Sequence, residues 1–243
     1  MTTVQRRPRR AVDLLDLVLD AGSYESWDEP IDTSVHPPAY RVALAAAAER
    51  AGTDESVLTG QGLVSGRAVA VVVNEFGFLG GSIGCAAAAR IEAAARRATA
   101  DRLPLLAATA SGGTRMQEGT IAFVQMVAIT RALADHRAAG LPYLVYLRHP
   151  TVGGVYASWG SLGHITVAEP GALIGFRLPL AQCEVDIATE DDLPLADHPL
   201  SDQNSGFHRL PRKLNGPFFH LASIVLSLWL SLLHVDNQVI TGG

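Results

Sequence analysis

The chain has 243 residues of which 48% are hydrophobic, enough to bury one sizeable core with a small appendage. Its formal net charge of -5 and pI near 5.9 do not fit a nucleic-acid surface, which needs clustered cations. Cys85 and Cys183 lie far apart without a C-x-x-C spacing, and the eight histidines show no H-E-x-x-H, so neither a disulfide framework, a zinc ribbon nor a metalloprotease site is expected. A reducing, cytoplasmic compartment follows from that cysteine usage.

Arg6, Arg7, Arg9 and Arg10 form a basic run that reads as a solvated tail. The next segment, Ala-Val-Asp-Leu-Leu-Asp-Leu-Val-Leu-Asp, carries too many acids for a signal peptide and predicts a short surface helix stopped by Gly22. Ala43 to Arg50 predicts an alanine-rich helix ended by Gly52, and Val57 to Val64 faces Arg67 to Val73 across Ser65-Gly66 as a hairpin. A long helix is expected from Ile83 to Arg102, a strand from Leu105 to Ala110, a second helix from Met116 to Arg137 and a second strand from Tyr143 to Leu147. Met116 and Met126 read as core filler. Leu221 to Leu233 is strongly apolar but shorter than the about 20 residues that span a bilayer, so it reads as a buried helix and no membrane contact is expected. Strands alternating with helices predict an α/β architecture with buried strands. Three regions are expected: a tail and short helix over 1–40, a core over 41–176 and a divergent tail over 177–243.

Two pieces of the chain echo one another. Leu103-Pro104, an apolar strand and Ser111-Gly112-Gly113 are followed by Leu141-Pro142, an apolar strand and Thr151-Val152-Gly153-Gly154. Paired glycines between a strand and a helix let the backbone bend sharply and leave amide N–H groups pointing outward, where anionic oxygen is favoured. Two such sites converging on one oxygen suit a thioester whose carbonyl must carry enolate charge.

Ser111-Gly112-Gly113-Thr114-Arg115-Met116-Gln117-Glu118 resembles the S-G-G-A-R-M-Q-E signature of the carboxyltransferases of biotin-dependent acyl-CoA carboxylases. Phe76-Gly77-Phe78-Leu79-Gly80-Gly81-Ser82-Ile83-Gly84 is similar to that family's F-x-F-x-G-G-S-x-G, and Thr151 to Ser158 continues the likeness. Ala168-Glu169-Pro170-Gly171-Ala172-Leu173-Ile174-Gly175-Phe176 looks like A-E-P-x-A-x-I-G-F, so the resemblance runs from Ser56 to Phe176. It implies a crotonase-like fold, a superhelix of ββα turns, in a single carboxyltransferase domain with an atypical C-terminal tail.

The resemblance also implies a mechanism. Amides near Gly112, Gly113 and Thr114 and near Gly153 and Gly154 would polarise the thioester carbonyl of a bound acyl-CoA. Gly80, Gly81, Ser82 and Arg115 would line the substrate, while Arg115, Gln117 and Glu118 would also brace the loop. Read without the resemblance, Arg115 and Glu118 are an ordinary i, i+3 surface pair. Carboxybiotin would come from a separate biotin carboxyl carrier, because the sole lysine, Lys213, stands in Arg-Lys-Leu rather than A-M-K-M. The four-cysteine zinc ribbon of many bacterial β-subunits is missing, so zinc is not expected. A second crotonase-like domain or subunit would complete the active site, making the chain part of an oligomer and incomplete alone. A catalytically silent acyl-CoA-binding half shares every motif. A serine hydrolase is the remaining reading, because Gly80-Gly81-Ser82-Ile83-Gly84 satisfies G-x-S-x-G, although glycines interrupt the approach to Ser82.

Overall fold

In a computed structural model the described residues are 9–175. Helix α1 (Ala11–Val18) is followed by β1 (Glu25–Ser26), α2 (Pro38–Ala51), and the hairpin β2 (Val57–Val64) and β3 (Arg67–Asn74). Then come α3 (Cys85–Ala100), β4 (Leu105–Ser111), α4 (Gly119–Ala138), β5 (Tyr143–Val152), a short α5 (Gly153–Val155), β6 (Ile165–Ala168) and β7 (Ile174–Gly175). The strands form one seven-stranded sheet in the order β1-β2-β3-β4-β5-β6, with β7 also paired to β5. The hairpin end is antiparallel and the run β3 to β6 is parallel.

The alternation of side chains along β3 shows why this sheet is buried on both faces. Ala70 and Val72 join Leu105, Ala107, Tyr143 and Val145 under α3 and α4, while Val69, Val71 and Val73 join Leu106, Ala108, Leu144 and Tyr146 under α1. A period-2 strand with apolar residues in both phases has no solvent face. Alanines fill the inner side of α3 at Ala87, Ala88, Ala94, Ala95 and Ala98, which lets that helix lie close to the strands.

Several sequence expectations shift. The hairpin stands as read, one residue longer at Asn74. The first helix lies at the surface as expected, with Asp13, Asp16 and Leu17 exposed, but ends at Val18 and buries one face in the core through Ala11, Leu14 and Leu15, followed by Leu19. Arg9 and Arg10 are not a free tail either, because Arg148 Nη2 donates to Arg9 O and Arg10 Nη2 reaches Ala51 O at the C-terminus of α2. The long helix starts at Cys85, not Ile83, since Ile83 is tied to Thr114 in a parallel bridge. The second begins at Gly119, after a single 3₁₀ turn over Met116–Glu118 that leaves Met116 85% exposed, whereas Met126 is buried as expected. The expectations for Arg6, Arg7, Cys183, Lys213 and Leu221 to Leu233 lie outside the described residues.

Candidate active site

The three glycine motifs come together at the C-terminal ends of β3, β4 and β5, the end of a parallel sheet where ligands bind. The segment after β3 lies as a ribbon alongside the loop after β4. Gly112 N–H donates to Gly80 O (2.9 Å), Ser111 Oγ donates to Gly81 O (2.6 Å), Ile83 N–H donates to Gly113 O (2.9 Å) and Arg115 N–H donates to Ile83 O (2.9 Å). Gly81 is obligatory here: it has φ +65°, and a Cβ on it would stand 2.0 Å from Ala110 O.

The second loop arrives through a shift in register. Leu105 to Thr109 pair with Tyr143 to Leu147, but Ser111 pairs with Thr151, so β5 takes up extra residues over Arg148 to Pro150. Thr151 Oγ1 fills the resulting irregularity, 2.8 Å from Arg148 O, 3.0 Å from Thr109 O and 2.9 Å from Thr109 Oγ1. This displacement carries Gly153–Gly154 against Gly112–Gly113. A Cβ on Gly113 would stand 3.3 Å from Gly154 N, and one on Gly154 would stand 2.8 Å from Thr114 Oγ1 and 3.9 Å from Thr114 N.

The predicted convergence of two glycine loops is therefore present, but its donors differ from expectation. The Gly112 amide is bonded to Gly80 O and the Gly113 amide to Ser111 Oγ (3.0 Å), so neither points an unpaired N–H outward. Among the described residues, the amides of Thr114 and Gly154 carry no hydrogen bond, and the carbonyl of Gly154 is taken by Ser158 Oγ (2.5 Å). Gly113 (φ +107°) and Gly153 (φ +63°) supply the left-handed backbone that brings those two amides together.

Arg115 is also corrected. Expected in part as a substrate contact, it is 1% exposed, and its donors are occupied within the chain. Its guanidinium forms a bidentate hydrogen-bonded ion pair with Glu55, Nη1 donating to Oε2 at 2.8 Å and Nη2 to Oε1, and Nη2 further donates to Ser82 O (2.7 Å) and Ser56 Oγ (3.1 Å). Nε reaches Ser82 Oγ at 3.3 Å, and the group lies 5.3 Å over the Phe78 ring. Burial pulls its pKa down, but the bond and charge of Glu55 outweigh that and hold it above the ordinary arginine value. Glu55, sixty residues away in sequence, is the partner that local spacing could not reveal. Glu118 accepts from Tyr40 Oη and Cys85 N, and Gln117 lies exposed and takes no part in bracing the loop.

Ser82 is not arranged as a nucleophile. Its Oγ donates to Leu79 O (2.9 Å), and none of the four described histidines is bonded to it: His136 bonds Thr99 and Pro142, His149 accepts from Leu173 N, His164 accepts from Tyr143 N, and the His36 ring packs edge-on against Tyr40. No strand runs directly into it, since β3 ends at Asn74. Among the described residues no group of three or more His, Cys, Asp or Glu could hold a metal ion, and no helix is long and apolar enough to cross a membrane.

Fold and site together define a crotonase-like α/β scaffold that presents unpaired main-chain amides where two strand-end loops meet. The chain belongs to the carboxyl transferase domain family, whose sequence pattern matches residues 8–181. It is 68% identical over 163 residues to the probable biotin-dependent acyl-coenzyme A carboxylase beta3 subunit of Mycobacterium tuberculosis (strain ATCC 25618 / H37Rv), covering 67% of this chain and 33% of that protein. It is 42% identical over 172 residues to the acetyl-coenzyme A carboxylase carboxyl transferase subunit beta of Exiguobacterium sp. (strain ATCC BAA-1283 / AT1b), covering 70% of this chain and 60% of that protein. The chain thus spans about a third to three fifths of the length of these relatives. Among solved structures, transcarboxylase 12S with hydrolysed methylmalonyl-coenzyme A bound matches with a TM-score of 0.60 at 22% identity, over 69% of this chain and 31% of that one. A Pseudomonas malonate decarboxylase hetero-tetramer in complex with malonate matches with a TM-score of 0.56 at 23% identity, over 71% and 64% of the two chains.

Proposed function

We propose that this chain forms the acyl-CoA half of a carboxyltransferase active site and stabilises the thioester enolate with the amides of Thr114 and Gly154. The observation that carries the proposal is the approach of these two N–H groups, which have no acceptor among the described residues and lie at the tip of both loops. When the α-proton leaves, the electron pair of the C–H bond moves onto the thioester oxygen, and fixed donors aimed at that oxygen lower the barrier because they need no reorganisation. The carboxybiotin of a separate biotin carboxyl carrier supplies carbon dioxide and the proton acceptor. This chain then orients the α-carbon so that its lone pair meets the carboxyl carbon. Gly80, half-buried and bonded to Gly112, and the half-buried Ser82 are assigned to the substrate side of the loop; Gly81 and Arg115 hold it from beneath.

On this proposal the protein acts in the cytoplasm, needs no zinc, and has a second crotonase-like domain or subunit as its oligomeric partner. The first turns of α4 and the 3₁₀ turn before them support the partner: Met116, Ile121, Phe123, Val124 and Val127 are large apolar side chains left exposed on the segment that follows the Thr114 loop. The test is reconstitution. With the second subunit and a carboxybiotin-loaded carrier, acyl-CoA-dependent carboxyl transfer is expected, and with the isolated chain and free biotin donor none. Acyl-CoA binding without transfer in the reconstituted complex would instead identify a silent binding half, and transfer by the isolated chain would contradict the two-part site.

A further inference from the structure

We infer that Tyr40, on α2 and outside every glycine motif, is a positioning residue for the loop that carries the Thr114 amide, acting through the Glu118 carboxylate. The inference rests on the carboxyltransferase reading above.

Thr114 lies between two fixed points. Gly113 before it and Arg115 after it are both bonded to Ile83. Beyond Arg115 the 3₁₀ turn Met116–Glu118 is exposed at Met116 and Gln117, whereas the Glu118 side chain is largely covered, so that carboxylate anchors the turn. Glu118 Oε2 accepts from the Cys85 amide (2.6 Å) at the first residue of α3, where the helix dipole favours an anion, and Oε1 accepts from Tyr40 Oη (2.7 Å). Arg115 Nη1 reaches the same Oε1 at 3.4 Å. The neighbouring Gly84 is required for this approach, since a Cβ there would stand 2.3 Å from Glu118 Oε1.

Tyr40 is held rigidly enough to act as an anchor. Tyr40 belongs to the buried cluster that includes Leu44 one turn on, Ala47, Ala51 and Phe78, its ring meets His36 edge-on at 4.9 Å, and Phe78 in turn lies under Arg115, so α2 meets the loop through one apolar cluster and one hydroxyl. Burial pushes the Glu118 pKa up, but the bonds from Cys85 and Tyr40 outweigh it and keep the carboxylate below its ordinary range. Burial and Glu118 hold the Tyr40 hydroxyl above its ordinary range. At neutral pH a neutral phenol therefore donates to a charged acceptor, the stronger class of hydrogen bond. Removing the hydroxyl leaves the turn tied by the Cys85 amide and the long Arg115 contact, and the Thr114 amide gains freedom at the position where the oxyanion must be met.

The experiment compares Tyr40→Phe, which removes the hydroxyl alone, with Tyr40→Leu, which also thins the packing under α2. In the reconstituted complex both variants should lose kcat by about tenfold, the effect of one charge-assisted bond, while KM for acyl-CoA changes by less than about twofold. Only Tyr40→Leu should lower the thermal midpoint. Hydrogen–deuterium exchange of the peptide covering 112–119 should rise in both variants with β3 and β4 unchanged. Unaltered exchange in 112–119, an intact kcat in Tyr40→Phe, or a kcat loss that follows the thermal midpoint would each overturn the inference. If the wild-type complex transfers no carboxyl group, the functional assignment fails, and the exchange comparison still decides whether Tyr40 holds the loop.

Discussion

The loop after β4 is fixed by a buried ion pair that reaches across the chain, whereas Gly153–Gly154 after β5 is held by hydroxyls, the charged groups of that end standing further back on the strand, where Arg148 donates to Asn74 O and Glu169 accepts from His149 N. Arg115, itself 1% exposed, draws together Glu55, Ser56, Ser82 and Glu118, with Tyr40 and Phe78 behind. Across the site, Thr151 bonds within the Thr109 to Arg148 irregularity, and Ser158 bonds Gly154 O one helical turn back. The difference is one of consequence. An uncompensated buried charge is far costlier than an unpaired carbonyl, so the first loop should fail abruptly and the second by degrees.

Arg115→Met is the most severe way to break this asymmetry. It strands the Glu55 carboxylate, 2% exposed, and breaking a buried pair from one side costs about 3–5 kcal/mol. Urea unfolding should show that loss, and adding Glu55→Gln to Arg115→Met should recover a large part of it. A loss under about 1 kcal/mol would mean that the pair behaves as a surface pair.

Thr151→Val tests the second loop and should act more mildly. The buried hydroxyl leaves carbonyl partners at Arg148 and Thr109 underbonded, a cost of about 1–3 kcal/mol in the same unfolding assay. Thr151→Ser keeps the hydroxyl and should stay near wild type. If Thr151→Val costs as much as Arg115→Met, the two loops are held alike and the contrast fails.

The sequence carried the parts of this arrangement that depend on local pattern. The Val57–Val64 and Arg67–Asn74 hairpin was legible because two apolar runs flank a Ser-Gly turn, and the convergence of the loops because each follows a strand opened by Leu-Pro. What depends on distant partners was not legible. Spacing offers Glu118 as the partner of Arg115, and only the fold brings Glu55 to it. Glycines mark where amides can face outward, but Ser111 Oγ and Gly80 O, which take the amides of Gly113 and Gly112, leave no trace in a motif. Arg148 to Pro150 break the apolar run, so the sequence reads as a strand ending at Leu147, and the continuation of β5 to Val152 with the register shift that brings Gly154 beside Thr114 was hidden. Met116 was read as core because it is apolar, yet the 3₁₀ turn aims it at solvent.

The central claim is that chemistry rests on main-chain donors brought together by Gly113, and Gly113→Val in the reconstituted complex tests it most directly. Valine is disfavoured at φ +107° and its Cβ would press to 3.3 Å from Gly154 N, so it should separate the two amides. Loss of one oxyanion donor costs about 10²–10³ in kcat, whereas acyl-CoA affinity rests on contacts along the whole ligand. The account predicts a kcat loss of about 10² or more with the acyl-CoA dissociation constant within about threefold, and near-normal turnover for Ser82→Ala. Unimpaired turnover in Gly113→Val together with abolished turnover in Ser82→Ala would contradict it.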